Sequence, residues 1–218
     1  DSAWLGMARV QRLSGKLSQA AETLTRARRL LPDEDPSASA ESALLCLDQG
    51  DLDGATQHID AASIRGEGAI VSYVRGNIAA NQGHLKAAKS YFDEAIETDP
   101  THVRARLDRA SIHMASGNAQ DALDDANVLL ELAPGLALAK LRRAEANMML
   151  TNWEAAKDDL EVIIEDAPHH HHALTQLAAC YISMDRPEKA EAPLNEALRL
   201  APDHTDAWHQ RGLPVSYT

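Results

Sequence analysis

The sequence predicts an all-α fold, a solenoid of stacked helical hairpins. Three features lead there. Pro100, Pro134, Pro168 and Pro202 fall 34 residues apart, and Pro32 lies two such periods before Pro100. Small residues repeat in the same frame: Ala88, Ala122, Ala156 and Ala190, with Ala20 two periods earlier, and a second column of Ala8, Gly76, Ala110, Ala144, Ala178 and Gly212. The 218 residues are 44% hydrophobic but only 4% aromatic, so alanine and leucine carry most of the apolar content. A fixed period of this size marks stacked supersecondary units rather than one globular core.

The frame divides the chain into units at 1–34, 35–68, 69–102, 103–136, 137–170 and 171–204, with a partial helix at 205–218, all read as one continuous solenoid. Unit 103–136 shows the plan. Val103 to Met114 is a first helix, and Gly117 closes it, because a left-handed residue costs glycine little. Ala119 to Leu132 is a second helix, with Ala122, Leu123, Ala126, Leu129 and Leu130 on one face at helical spacing. Pro134 then ends it, since the residue before proline is pushed out of the helical region. Gly15, Gly50 and Gly83 fill the same turn earlier, and Thr151 and Asp185 replace glycine later. The small columns sit where the two helices of a unit cross, where a large side chain would overpack the contact. A larger column of Leu24, Ile59, Phe92, Leu160 and Leu194 fills the layer between helices, and Ala126 makes the fourth unit thinner there.

Departures from the period carry expectations of their own. The second unit has Ala55 one residue late and Glu67 where proline is expected, so 64–68 is a candidate hinge. Pro193 lies within the second helix of the sixth unit and is expected to kink it. Pro214 interrupts the first helix of a seventh unit, and the chain begins with Asp1 and without a polar capping helix. Solenoids usually carry polar caps, so the natural protein is expected to continue at the N-terminus.

Composition also excludes function classes. With 21 Lys+Arg against 33 Asp+Glu, the net charge is −12, which gives no general attraction for phosphate backbones, so no nucleic-acid partner is expected. No apolar stretch is long enough to span a membrane. Cys46 and Cys180, 134 residues apart, show no CxxC and do not report a redox compartment, leaving localisation open between cytoplasm and periplasm. HExxH, GxSxG, GxxxxGK and GxGxxG are all missing. Asp124-Asp125 and Asp158-Asp159 read as solvated faces rather than acid/base pairs, and both cysteines read as small core residues. No enzymatic activity and no cofactor is expected. His169 to His172 form the one metal-like run, with His169 and His172 as the candidate ligands. His102 and His204 occupy corresponding turns, so the run reads as ordinary turn residues and no metal site is expected.

The period, with Trp4, Met7, Ala8, Gln11, Ala20, Leu24, Ala27 and Pro32 in the first unit and Ser72, Arg75, Gly76, Ala79, Ala88, Phe92, Ala95 and Pro100 in the third, resembles the tetratricopeptide repeat pattern W-x2-L-G-x2-Y, A-x3-F, P. The resemblance extends to Trp208, Arg211 and Gly212. It implies a right-handed superhelix of about six units plus a partial seventh, whose first helices line a concave groove that binds a peptide or partner protein. By repeat register the groove positions are Tyr73, Asn77, Arg104, Leu107, Asp108, Ser111, Leu138, Leu141, Arg142, Glu145, Met148 and Met149. Net positive charge on the first helices of the third to fifth units, against net negative second helices, favours an acidic or carboxylate-bearing peptide. The alternative is that these charges only solubilise helices and pair between neighbouring repeats. The two-Lys, two-Asn, one-Arg clamp of chaperone adaptors is not expected, because Tyr73, Asp108 and Leu138 stand at its positions and only Asn77 and Arg142 fit. Rival roles are structural self-association and a spacer or regulatory segment of a larger enzyme. In repeat style alone the chain is also similar to long bacterial repeat proteins of exopolysaccharide export in the cell envelope.

Overall fold

In the computed structural model, residues 2–31, 35–63 and 68–212 are described. Among them every regular element is helical. In chain order these are α1 Ser2–Leu13, α2 Leu17–Arg28, α3 Pro36–Asp48, α4 Leu52–Ser63, α5 Ala69–Asn81, α6 Leu85–Thr98 and α7 Val103–Ala115. They continue with α8 Ala119–Leu132, α9 Ala137–Met149, α10 Trp153–Asp166, α11 His171–Ser183, α12 Pro187–Leu200 and α13 Thr205–Gly212. Contacts divide the chain into two compact units, Asp1–Ile112 and His113–Thr218, with the boundary inside α7.

Each hairpin turn is built the same way. Gly15, Gly50, Gly83 and Gly117 take φ between +72° and +78°, and Thr151 and Asp185 take +61° and +58°. The residue after each sends its N–H back five positions: Lys16 to Gln11 O, Asp51 to Cys46 O, His84 to Ala79 O, Asn118 to His113 O, Asn152 to Asn147 O and Arg186 to Tyr181 O, at 2.8–2.9 Å. This double-bonded cap satisfies carbonyls that the end of a helix would otherwise leave bare. Glycine reaches this conformation freely, whereas β-branched Thr151 is held there by the surrounding hairpin.

The second helices end as the proline column requires. α6, α8, α10 and α12 each stop two residues before Pro100, Pro134, Pro168 and Pro202, and the intervening Asp99, Ala133, Ala167 and Ala201 leave the helical region. Helix α12 continues through Pro193 from Pro187 to Leu200, so that proline does not end it. Pro32, Pro214 and residues 64–67 of the candidate hinge lie outside the described residues. Gly68 is the extended N-cap of α5.

In unit 1, α1/α2, α3/α4 and α5/α6 form antiparallel hairpins, and each first helix packs on the next, α1 on α3 and α3 on α5. Ala8, Ala20, Ala55, Ala88 and Ala110 are fully buried. The first-helix column tightens to glycine at Gly76, where an added Cβ would overlap the Phe92 ring. The widest residue of one column is therefore opposed by the narrowest of the other. In unit 2, α9/α10 and α11/α12 pair, α8 packs on α9, α10 on α11, and α13 rests on α11 and α12. Ala122, Ala126, Ala144, Ala156, Ala178 and Ala190 are fully buried, with Leu160 and Leu194 in the layer between. On α8 the thin position Ala126 lies one turn from fully buried Leu129.

Candidate functional site

Two polar clusters on the first helices contain most of the groove positions expected from the sequence. The first lies in unit 1 on α5 and α7. Tyr73 is buried, its ring 6.0 Å from Phe92 and 4.9 Å from His102. Burial pushes its hydroxyl well above the usual tyrosine value, and the charge and hydrogen bond of Asp108 push the same way. Asn77 donates to the Tyr73 carbonyl at 3.0 Å, and the Ser111 hydroxyl donates to the Leu107 carbonyl at 3.0 Å. Leu107 is buried and offers little surface. Arg104 is half-buried. No carboxylate bonds its guanidinium among the described residues, although its charge is felt by both Tyr73 and His102.

The second cluster lies in unit 2 around Glu145 on α9. Arg142 Nη1 donates to Glu145 Oε2 at 2.7 Å, Gln176 Nε2 of α11 donates to Oε1 at 3.2 Å, and His172 Nε2 lies 3.4 Å from Oε1. Burial works against the charge of Glu145, but His172, Arg142 and Gln176 together hold its carboxyl below the usual value. Leu138 and Met149 are exposed beside this cluster. Met148 is half-buried, and Leu141 belongs to the core.

The structure also shows where much of the first-helix charge goes. Arg109 on α7 bonds Asp93 on α6 at 2.7 Å, and Asp93 also takes Lys89 at 2.7 Å. Arg143 on α9 forks onto Asp159 of α10 at 2.6 and 2.7 Å. These pairs tie first helices to second helices, as planar guanidinium–carboxylate forks do. Arg109 and Arg143 therefore pair between helices, the stacking role that the sequence offers for these charges.

His172, expected only as a candidate metal ligand, and Gln176 are not among the expected groove positions, although each stands one period after Leu138 and Arg142. Extending those columns by 34 residues finds them. A third network was equally unforeseen. Glu41 on α3 is almost fully buried and accepts from Arg9 at 3.1 Å and Arg12 at 2.8 Å, while Arg12 also reaches Asp48 at 2.8 Å. Glu41 shares its column with Met7 and Arg75, so a lone acid there was a readable signal.

The histidine turns have a local role. His102 Nδ1 accepts from Ala105 N and His170 Nδ1 from Ala173 N, both at 3.1 Å, capping the first turns of α7 and α11. His169 and His172 approach different carboxylates, Glu196 at 3.9 Å and Glu145 at 3.4 Å. Cys180 is buried and its thiol is pushed up to about 11, and desolvation raises the half-buried Cys46 thiol as well. At neutral pH neither is the thiolate that acts as a nucleophile. Among the described residues no helix is long and apolar enough to cross a membrane.

A tetratricopeptide repeat family model matches residues 5–69 and 73–137, and a second model of the same repeat matches 147–210. No curated protein matches the sequence. Among solved structures, a chain of the APC/C hetero-tetramer Cut9–Hcn1 aligns with TM-score 0.81 at 18% identity over 96% of this chain. The present chain spans 42% of the length of that one. YrrB, described as a TPR protein with an unusual peptide-binding site, aligns with TM-score 0.69 at 21% identity, covering 87% of this chain and 98% of its own. Pseudomonas aeruginosa pilF aligns with TM-score 0.76 at 15% identity, over 97% of this chain and 96% of its own. At these identities the structural likeness establishes the fold. With the repeat models covering most of its length, the chain belongs to the tetratricopeptide repeat family.

Proposed function

We propose that the chain is a non-enzymatic interaction scaffold that holds an acidic or carboxylate-bearing peptide against the first-helix faces of its two units. Stacked repeats present extended surfaces of this kind, and a neighbour of the same fold is described as having a peptide-binding site. The observation that carries the reading is the residual positive charge on the first helices. Arg104 on α7 and Lys140 on α9 are half-buried cations to which no carboxylate is bonded among the described residues, whereas Arg109 and Arg143 are tied to aspartates. Exposed Leu138 and Met149 beside the Glu145 cluster add apolar contact, and methionine adapts its shape to a partner. The division of the chain into repeats ending at 34, 68, 102, 136, 170 and 204 belongs to the same proposal.

The test starts from peptides selected on the immobilised chain. Binding of the tightest acidic peptide is then measured to the parent, to Arg104→Glu and to Arg142→Glu. Reversing a charge beside a bound carboxylate is expected to weaken binding at least about tenfold. Equal affinity in both variants, with helicity intact, contradicts the proposal and moves the search to the second helices.

A further inference from the structure

A histidine cluster gathers in unit 2 where two turns meet. His170 caps α11, His171 and His172 open it, and His204 precedes α13. The His204 ring lies edge-on to His171, with centroids 5.1 Å apart, and 6.4 Å from His172, and His170 lies 6.5 Å from His172. Two nitrogens of the cluster are committed elsewhere. His170 Nδ1 caps the helix, and His172 Nε2 faces Glu145 and Gln176. By contrast, His204 Nε2 is buried and makes no hydrogen bond. Two imidazoles bound to one tetrahedral ion at a Zn–N distance of about 2.0–2.1 Å place their ring centres about 5 Å apart.

We propose that His171 and His204 chelate a late first-row divalent ion, of which zinc is the type, tying the turn before α13 to the start of α11. Among the described residues no three His, Cys, Asp or Glu side chains already form a cage for an ion, so water completes the coordination. The site is distinct from a simple tetrahistidine run because it depends on a residue one repeat further along the chain. Helix α13 buries a single side chain, Ala207, so a bridge that exists only in the docked state holds an otherwise lightly anchored helix in place.

The experiment is zinc titration calorimetry on the untagged chain, with parent, His171→Gln, His204→Gln and His169→Gln compared and helicity followed by circular dichroism. One zinc per chain is expected. His171→Gln and His204→Gln are expected to lose affinity by at least about tenfold, and His169→Gln to change it by less than about twofold. If His204→Gln binds as tightly as the parent, the run alone ligates, adventitiously, and the proposal is overturned. It is also overturned if the parent takes up no zinc. Should His204→Gln lose helicity, the assigned His204 ring resonances of the parent decide. A zinc-induced shift supports the bridge, and unmoved resonances overturn it.

Discussion

Both units place a glutamate between successive first helices, and they treat it in opposite ways. In unit 1, Glu41 on α3 binds Arg9 and Arg12 of α1, with the side chains of Glu41 and Arg12 only 2% and 6% exposed. In unit 2, Glu145 on α9 shares itself among Arg142 of its own helix and His172 and Gln176 of α11, while Arg142 and His172 remain 26% and 41% exposed. A sealed pair cannot exchange partners and fixes how two hairpins stack. A half-open one can give up Arg142 or His172 to a ligand. The same residue type, three repeats apart, thus seals a contact in one place and in the other, under the proposed function, leaves partners that a ligand can take.

The largest expected effect breaks the sealed pair. Glu41→Ala leaves the buried Arg12 guanidinium with Asp48, itself partly exposed, as its remaining carboxylate and is expected to cost about 2–3 kcal/mol in urea unfolding. Glu145→Ala, at the open site, is expected to cost about 1 kcal/mol or less. Equal costs would erase the distinction between the two glutamates.

Next in size is the tight crossing in unit 1. Gly76→Ala drives a methyl into the Phe92 ring and is expected to lower stability by about 1–3 kcal/mol. Adding Phe92→Leu should restore much of that loss, because Leu24 and Leu160 occupy the same column in register with Ala8 and Ala144 and all four are buried. Thermal unfolding of the single and double variants checks the compensation.

Acid separates the units more gently. The partners of Glu145 hold its carboxyl below the ordinary glutamate value of 4.5. Its contribution to stability is therefore complete above that value and is lost as pH falls through the depressed one. The stability difference between the parent and Glu145→Gln should be constant at neutral pH and vanish in stronger acid, as denaturant melts at a series of pH values will show.

The smallest effect concerns the turns. Thr151 holds the left-handed conformation that glycine fills in four other turns. Thr151→Gly is expected to gain about 0.5–1 kcal/mol, the left-handed penalty less the extra chain entropy of glycine. A loss instead would mean that Thr151 makes a contact worth more than its strain.

Much of this architecture was legible in the sequence because period 34 fixes backbone geometry. The proline column placed the ends of α6, α8, α10 and α12. The alanine columns placed the buried crossings, and the glycine column even flagged Thr151 and Asp185 as stand-ins. Side-chain partnership was less legible. Arg109 and Arg143 share one column of the period and Arg104 lies in another, but the period does not show that the first column meets aspartates on second helices while Arg104 bonds none among the described residues. That distinction depends on side-chain reach across a crossing. His204 was read as a turn residue because sequence register shows which positions are equivalent, not which rings meet. The expected groove positions end at Met149, so His172 and Gln176, one period after Leu138 and Arg142, fall outside them.

The most direct test of the central claim, that the first-helix faces are the binding surface, is hydrogen–deuterium exchange on the chain with a selected acidic peptide bound. The account predicts new protection on α5, α7, α9 and α11, with α6, α8 and α10 unchanged. Protection confined to α6, α8, α10 and α12 would contradict it.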